Sequence, residues 1–489
     1  MIGHFLKNLL RGSSFASDVL MIVGGTAISQ ILIVLSSPVL TRLYGPEAFG
    51  IVALFSAITS IISVVACMRY EQAILLPERD EDAVNIFGLC LLISASMSFL
   101  LIPILCVGQQ SLLRLLNAQE LVHYIWLVPL VVFLSGTFSA LNYWNSRTRH
   151  FGRLSVARIN ASISTIGTQV GLGLAGYNTG GTLIGAGIIG SLISTITLGG
   201  QVLRDDGIIF KEKIRPELMK DELSRYRKFP LIDSWSELLN SISWQIPIFL
   251  LSAFFSPSIV GFYAFGIRVL QLPMSFVGSA ISQVFFQRAA EAKVAGNLSP
   301  LVEDIFRVFV ALGLFPLLLL TLIGKEFFIV IFGASWAESG VYAQILSIWT
   351  FVWFISSPMS TIYYVVEKQE FALKFNFVNF ITRILAIGIG GLLGDPRISI
   401  FLFAISGVFV YSWLLTAILR FAEVADSKAI SIIFANLKII FPAILIIIAL
   451  KVLSIDPAIQ VVVSFILALI YYVHLIKKDS KISKYFMKY

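Results

Sequence analysis

The sequence predicts an all-α, polytopic membrane protein of about fourteen transmembrane helices, built as two six-helix bundles related by a pseudo-two-fold axis plus a C-terminal helix pair. Three observations carry that expectation. Of 489 residues, 57% are hydrophobic and only 13% charged, whereas soluble domains carry roughly a quarter charged residues. Apolar runs of about 20 residues recur from end to end, each long enough to cross a ~30 Å hydrocarbon core as a helix. Landmarks of the first half also return in order in the second.

By length and polar flanks the spans fall near 19–40, 48–67, 84–107, 122–143, 156–176, 180–202, 232–255, 259–284, 303–324, 340–365, 371–394, 398–419, 430–450 and 457–476. The first is long, contains Gln30 and lacks a clear small-residue cleavage site, so it is expected to stay as a helix. Cys67, Cys90 and Cys106 lie in or beside spans without C-x-x-C spacing, which predicts neither a disulfide framework nor a thiolate metal site. His4, His123, His150 and His474 lie near span ends or outside, with no metal motif among them. No metal and no cofactor is expected.

Positive charge sets the orientation. Alternate connections hold Lys7 and Arg11; Arg69 and Arg79; Arg147, Arg149 and Arg153; the run from Arg204 to Lys228; Arg288 and Lys293; Lys368; Arg420 and Lys428; and the tail after Lys477. The intervening connections carry Arg42, Arg114, Lys325, Arg397 or Lys451 alone. The positive-inside rule therefore makes both termini cytoplasmic. Basic cytoplasmic loops facing anionic membrane lipids account for the net charge of +8 without a nucleic-acid partner. Every outer connection is short, which disfavours a membrane glycan polymerase or ligase that needs a long external catalytic loop.

The repeat shows best where "YGPEAFGIVALF" (Tyr44 to Phe55) is set against "FSPSIVGFYAF" (Phe255 to Phe265): Pro46 falls on Pro257, Gly50 on Gly261 and Ala53 on Ala264. Further along, "SALNYWNSRTRHF" answers "STIYYVVEKQEF", and "GLAGYNTGG" answers "GLLGDPRIS". The segmentation that follows is a lobe at 1–203, a linker at 204–230, a second lobe at 231–425 and a helix pair with basic tail at 426–489. The linker mixes charge with Ile, Phe, Leu and Tyr, which reads as an interfacial amphipathic helix or as a solvated charged loop.

An Arg, Lys or Asp at the centre of a span costs about 2.5–3.5 kcal/mol on insertion scales, so such residues usually face a partner or a wet cavity. Arg268 and Arg383 lie deepest, too far in to snorkel comfortably, and are candidates to face a cavity or form a structural ion pair. Arg158 lies a few residues inside the fifth span, either snorkelling or lining the cytoplasmic mouth. Asp233, Glu237 and Asn240 recur at helical spacing and share one face, suited to a cation-coupling carboxylate or to an interfacial position beside Arg227 and Lys228. Glu303 and Arg307 are placed to pair across one turn. Lys438 is expected to snorkel. Prolines recur inside spans, and Pro273, five residues after Arg268, is the most suggestive break.

"SSPVLTRLYGPEAFGIVALFSAITSII", "MRYEQAILLPERDEDA", the long segment containing "GIRVLQLP" and "IFGASWAESG" resemble the polysaccharide-transporter branch of the multidrug/oligosaccharidyl-lipid/polysaccharide exporter superfamily, most nearly the Wzx type of lipid-linked oligosaccharide flippase. The resemblance covers essentially the whole chain. It implies two lobes forming a V around a cavity in the bacterial inner membrane. It also implies alternating access, turning an undecaprenyl-diphosphate-linked O-antigen, capsule or exopolysaccharide unit to the periplasmic leaflet, with the polysaccharide polymerase machinery as a partner. Arg268 occupies the place where related lipid II flippases carry a cavity arginine thought to meet the diphosphate. Arg383, Arg158 and, at the outer rim, Arg42 are the further substrate candidates. Asp233 and Glu237 are the candidates for H+ or Na+ coupling. The alternative is a cation-coupled multidrug and toxin exporter, although such proteins carry acidic residues within the N-terminal lobe. Here Glu47, Glu71 and Asp80 sit at loops.

Overall fold

The computed structural model describes residues 14–478, with side chains except those of 14–23, 276, 277, 279–281, 283, 284, 476 and 478. The terminal basic segments used to orient the chain, with His4, lie outside these residues. The described residues are mostly helical, and helical segments overlap each of the fourteen expected spans. Eleven helices are long and apolar enough to cross a membrane. The three that fall short are informative. The fifth carries Arg153, Arg158 and Asn160; the seventh carries Glu237, Asn240 and Gln245; the eighth is interrupted after fourteen residues. Contacts divide the chain into two units, 1–261 and 262–489.

In the first unit α1 (Ser14–Leu43) lies along α6 (Phe151–Leu174), which lies along α7 (Gly180–Lys213). Between them come α2 (Pro46–Val64), a four-residue α3 (Tyr70–Ala73), α4 (Asp80–Leu115) and α5 (Val128–Arg147). The first turn forms as its residues require: Gly45 is extended, Pro46 opens α2 where a missing N–H costs nothing, and Glu47 sits in the positive first turn.

The linker departs from the sequence expectation of one interfacial helix or a loop. Its first ten residues continue α7 to Lys213, and a short α8 (Pro216–Arg225) follows. Side chains explain the extension. Phe210 inserts against Phe87 and Trp144, with ring centroids 4.8 and 4.9 Å away. Asp206 accepts the Trp144 indole N–H at 3.0 Å, and Asp205 pairs with Arg153 at 2.7 Å. The fully buried Asn85 then closes the helix end, donating to the Lys213 carbonyl at 2.9 Å and accepting from the Arg215 N–H at 2.8 Å. Met219 of α8 packs where Gly88 of α4 leaves room.

A seventh long helix, α9 (Ser234–Phe254), and the start of α10 (Pro257–Leu270) also belong to the first unit. Gln245 donates to Ser60 at 3.0 Å, Ser252 donates to the Leu116 carbonyl at 2.5 Å, and Asn117 donates to the Phe255 carbonyl at 3.2 Å. Here the repeat becomes physical. A Cβ on Gly50 would collide with the carbonyl oxygen of Pro257, and a Cβ on Gly261 with that of Pro46. The two equivalent Pro-x-x-x-Gly turns are packed on each other reciprocally, each glycine against the other's first-turn carbonyl.

The second unit holds α11 (Ser279–Val294), α12 (Leu298–Phe332), α13 (Ala337–Ser356), a short α14 (Ile362–Val365), α15 (Gln369–Leu392), α16 (Pro396–Phe421), α17 (Asp426–Val452) and α18 (Pro457–Lys478). Glu303 and Arg307 pair across one turn at 3.2 Å as expected, and Lys428 joins Glu303 at 3.1 Å. Pro316 cannot donate to the Leu312 carbonyl, and the Tyr472 hydroxyl of α18 supplies that hydrogen bond at 2.9 Å; Tyr471 serves the Ala311 carbonyl at 2.8 Å. A second bend at Ile323 (φ −122, ψ 20) turns the Thr321 and Leu322 carbonyls to Gln344, at 3.2 and 3.1 Å. The C-terminal pair therefore repairs backbone that α12 leaves open. Lys438 of α17 is exposed.

Candidate functional site

Within the first unit, α1, α2, α5, α6 and α7 line an open cavity of about 550 Å³, inside the ~300–1,000 Å³ range of small-molecule sites. Small residues bring its walls together. Gly25 of α1 meets Ser155 with no room for a methyl group, and Gly190 of α7 meets Thr165 in the same way. The wall is hydroxyl-rich, and among the described residues its only charge is Arg158. The Arg158 guanidinium donates to the Thr26 hydroxyl at 2.7 Å. Among the described residues it pairs with no carboxylate, and no carboxylate lines the cavity.

Some of the hydroxyls are already committed as donors. Thr59 donates to the Phe55 carbonyl at 2.9 Å, and Ser194 and Thr195 both donate to the Ser191 carbonyl at 2.9 and 2.8 Å. Their oxygens remain as acceptors. Ser29 is different: it is 8% exposed, lines the cavity, and its hydroxyl has no partner among the described residues. Sequence reasoning found Arg158 but missed this wall. A signal was present, since Thr26, Ser29 and Gln30, then Thr59 and Ser63, then Ser191, Ser194 and Thr195 recur at spacings of three and four, which stack on one helix face.

Arg268 lies two residues before α10 ends. Its side chain is exposed and, among the described residues, makes no hydrogen bond or ion pair. The helix is broken just beyond it: Pro273 removes the donor that would serve the Val269 carbonyl, and Met274–Gly278 winds as a π-helical segment. The break expected from Pro273 is therefore present beside this arginine. Arg383 of α15 is 3% exposed, donates to the Tyr411 hydroxyl at 3.3 Å and stands 6.0 Å from the centre of the Phe403 ring. Arg42 is exposed in the last turn of α1.

The candidate coupling acids belong to a separate cluster in the first unit. Asp233 ends a π-helical turn (Phe229–Asp233) and accepts from Arg69 at 2.9 Å. Glu237, one turn on, accepts from Asn240 at 3.4 Å. Arg69 also stands 3.8 Å from Glu71. Two consecutive non-glycine residues with left-handed backbone, Met68 (φ 50) and Arg69 (φ 64), bring this arginine into place, a strain of the kind that needs surrounding contacts to persist. Glu71 is 5% exposed with one carboxylate oxygen unpartnered, and burial holds its carboxyl above the usual carboxylate range. Nothing in the sequence marked Glu71 as buried, because the loop it occupies reads as solvated.

A family described as "Polysaccharide biosynthesis protein" matches residues 39–341, more than half of the sequence. The chain belongs to that family. No curated protein sequence matches it. Among solved structures, this family member is similar to "Lipid II flippase MurJ, inward closed conformation", at 12% identity and TM-score 0.69, covering 94% of this chain and 99% of that one. It is also similar to the inward-facing conformation of a multidrug resistance MATE family transporter of the MOP superfamily, at 17% identity and TM-score 0.60, covering 81% and 96%. An outward-facing MATE family transporter matches at 15% identity and TM-score 0.54, covering 84% and 98%. The fold is thus one shared with flippases and transporters.

Proposed function

We propose that this protein moves an undecaprenyl-diphosphate-linked oligosaccharide from the cytoplasmic to the periplasmic leaflet of a bacterial inner membrane by alternating access. The observation that carries the proposal is the charge of the cavity: Arg158 is its only ionic residue and has no acidic partner among the described residues. A guanidinium in the membrane-embedded part of a protein costs several kcal/mol unless something anionic or polar meets it. An anionic or hydroxyl-rich substrate does so; a cationic drug does not. The multidrug-exporter reading needs a carboxylate where this cavity has hydroxyls.

Arg268 is our candidate for the diphosphate, since a planar fork of donors suits phosphate oxygens and no carboxylate among the described residues pairs with it. Arg42 and Arg383 are secondary candidates, and Arg383 would have to be uncovered first. Asp233 and Glu237 are proposed to couple transport to H+ or Na+. The moving parts are proposed to be the repeat lobes, 1–203 and 231–425, with the linker and the 426–489 pair attached, both termini cytoplasmic and polymerase machinery downstream. The family's connection to polysaccharide synthesis and the flippase fold support this reading.

The test is deletion and complementation. Loss of the gene is expected to abolish surface glycan and leave the lipid-linked unit inside, and Arg268→Ala is expected to insert normally yet fail to complement. Unchanged surface glycan in the deletion strain removes the proposal; full complementation by Arg268→Ala removes that residue from it.

A further inference from the structure

The cavity around Arg158 is built for one class of occupant, and its hydrogen-bonding sense says which. Thr59, Ser194 and Thr195 spend their protons on their own helices' carbonyls, so what they turn outward is lone pairs. Ser60 likewise donates to the Ala57 carbonyl at 3.0 Å while accepting from Gln245. Those lone pairs stand beside the hydroxyls of Ser63, Ser135, Ser162 and Ser191 and the amide of Gln30, so the wall offers both acceptors and donors and suits a molecule rich in hydroxyl groups. Against that wall stand Arg158, of whose five N–H donors one is directed to Thr26 at 2.7 Å, and the unpartnered hydroxyl of Ser29, over nine-tenths buried. The volume of about 550 Å³ is many times the ~30 Å³ share of one water, which is more than an inorganic ion fills.

We propose that this cavity binds a sugar carrying a carboxylate, so that the translocated glycan contains an acidic monosaccharide: Arg158 takes the carboxylate, and the hydroxyl wall accepts from the sugar's own hydroxyls. The inference rests on the flippase reading and adds the substrate class to it. A diphosphate is the weaker match here, because its two or more negative charges would face a single lining guanidinium. Chloride is weaker still, because a monatomic ion is far smaller than the cavity and leaves most of its polar wall unmatched.

The experiment uses the full-length protein in detergent and four probes: a uronate-containing disaccharide, its neutral counterpart, inorganic pyrophosphate and sodium chloride. The acidic disaccharide is expected to bind at least about tenfold more tightly than the neutral one, the scale of a charge-assisted hydrogen-bonded pair. Arg158→Gln is expected to abolish that preference, and Arg158→Lys to keep part of it. Equal binding of both disaccharides overturns the inference, as does binding of pyrophosphate or chloride in their place that Arg158→Gln removes. Should Arg158→Gln lower the melting temperature of the unliganded protein, the comparison of probes on the unaltered chain decides. A vesicle arm keeps the two readings apart. Flipping of acidic and neutral lipid-linked units at equal rates leaves the flippase reading intact and overturns the acidic-sugar inference, whereas flipping of neither refutes the flippase reading itself.

Discussion

Gly50 and Gly261 offer the sharpest structural perturbation. Alanine at Gly50 directs a methyl group at the Pro257 carbonyl, and alanine at Gly261 directs one at the Pro46 carbonyl. Both obstacles are backbone, so no rotamer change relieves them and the two helices must part. Overpacking of this kind costs about 1–3 kcal/mol, and alanine recovers about 1 kcal/mol over glycine in a helix. Each single variant is therefore expected to lose up to about 2 kcal/mol. Because the clashes are reciprocal, a single separation of the helices relieves both. The double variant should lose clearly less than the sum, with a coupling of at least about 0.5 kcal/mol. Gly108→Ala supplies the control: it lies within α4 with nothing within 4 Å of an added Cβ, so it should be neutral or gain up to about 1 kcal/mol. Equilibrium unfolding in mixed micelles measures all four. Single variants as stable as Gly108→Ala, or strictly additive losses, would refute the reciprocal packing.

Three further outcomes are expected. Tyr472→Phe should cost about 1 kcal/mol by orphaning the Leu312 carbonyl, and much less in a Pro316→Ala background, where a restored backbone N–H serves that carbonyl; an unchanged cost there would break the link between α18 and the proline bend. For Glu71, burial raises the folded carboxyl above its ordinary 4.5. The folded state thus holds that proton more tightly, and its contribution to stability is complete below the ordinary value and lost as pH rises through the raised one. Arg69, Asp233 and Tyr143 surround the group, so Glu71→Gln should raise the melting temperature relative to the unaltered protein as pH rises from acid to neutral; parallel pH profiles would contradict this. Arg69→Ala should free Asp233 and release α9 from the turn after α2, read as faster proteolysis between residues 226 and 240; an unchanged cleavage rate would deny that tether.

Much of this fold is written in the sequence because membrane helices announce themselves by length and apolarity. The first hairpin is the clearest case, where Gly45, Pro46 and Glu47 specify the turn without help from the rest of the chain. What the sequence hides is tertiary. Phe210 and Asp206 read as linker residues until Phe87 and Trp144 are seen to receive them, and the prolongation of α7 follows from that pocket alone. The candidate site divides the same way. Arginines inside apolar runs stand out in such a sequence, so Arg158, Arg268 and Arg383 were legible. Their surroundings were not: Arg383 is enclosed by Tyr411 and Phe403 from another helix, while Arg268 makes no hydrogen bond or ion pair among the described residues. Serine and threonine rows looked like ordinary small-residue packing because only the fold reveals that three such rows turn toward one space.

The central claim is tested most directly in proteoliposomes holding the purified protein and a fluorescent undecaprenyl-diphosphate-linked oligosaccharide, with an impermeant glycan-modifying reagent outside. The account predicts that protein-containing vesicles render the whole lipid pool accessible, that vesicles without protein protect about half of it, and that Arg268→Ala vesicles behave like the empty ones. Equal protection with and without the protein would contradict it.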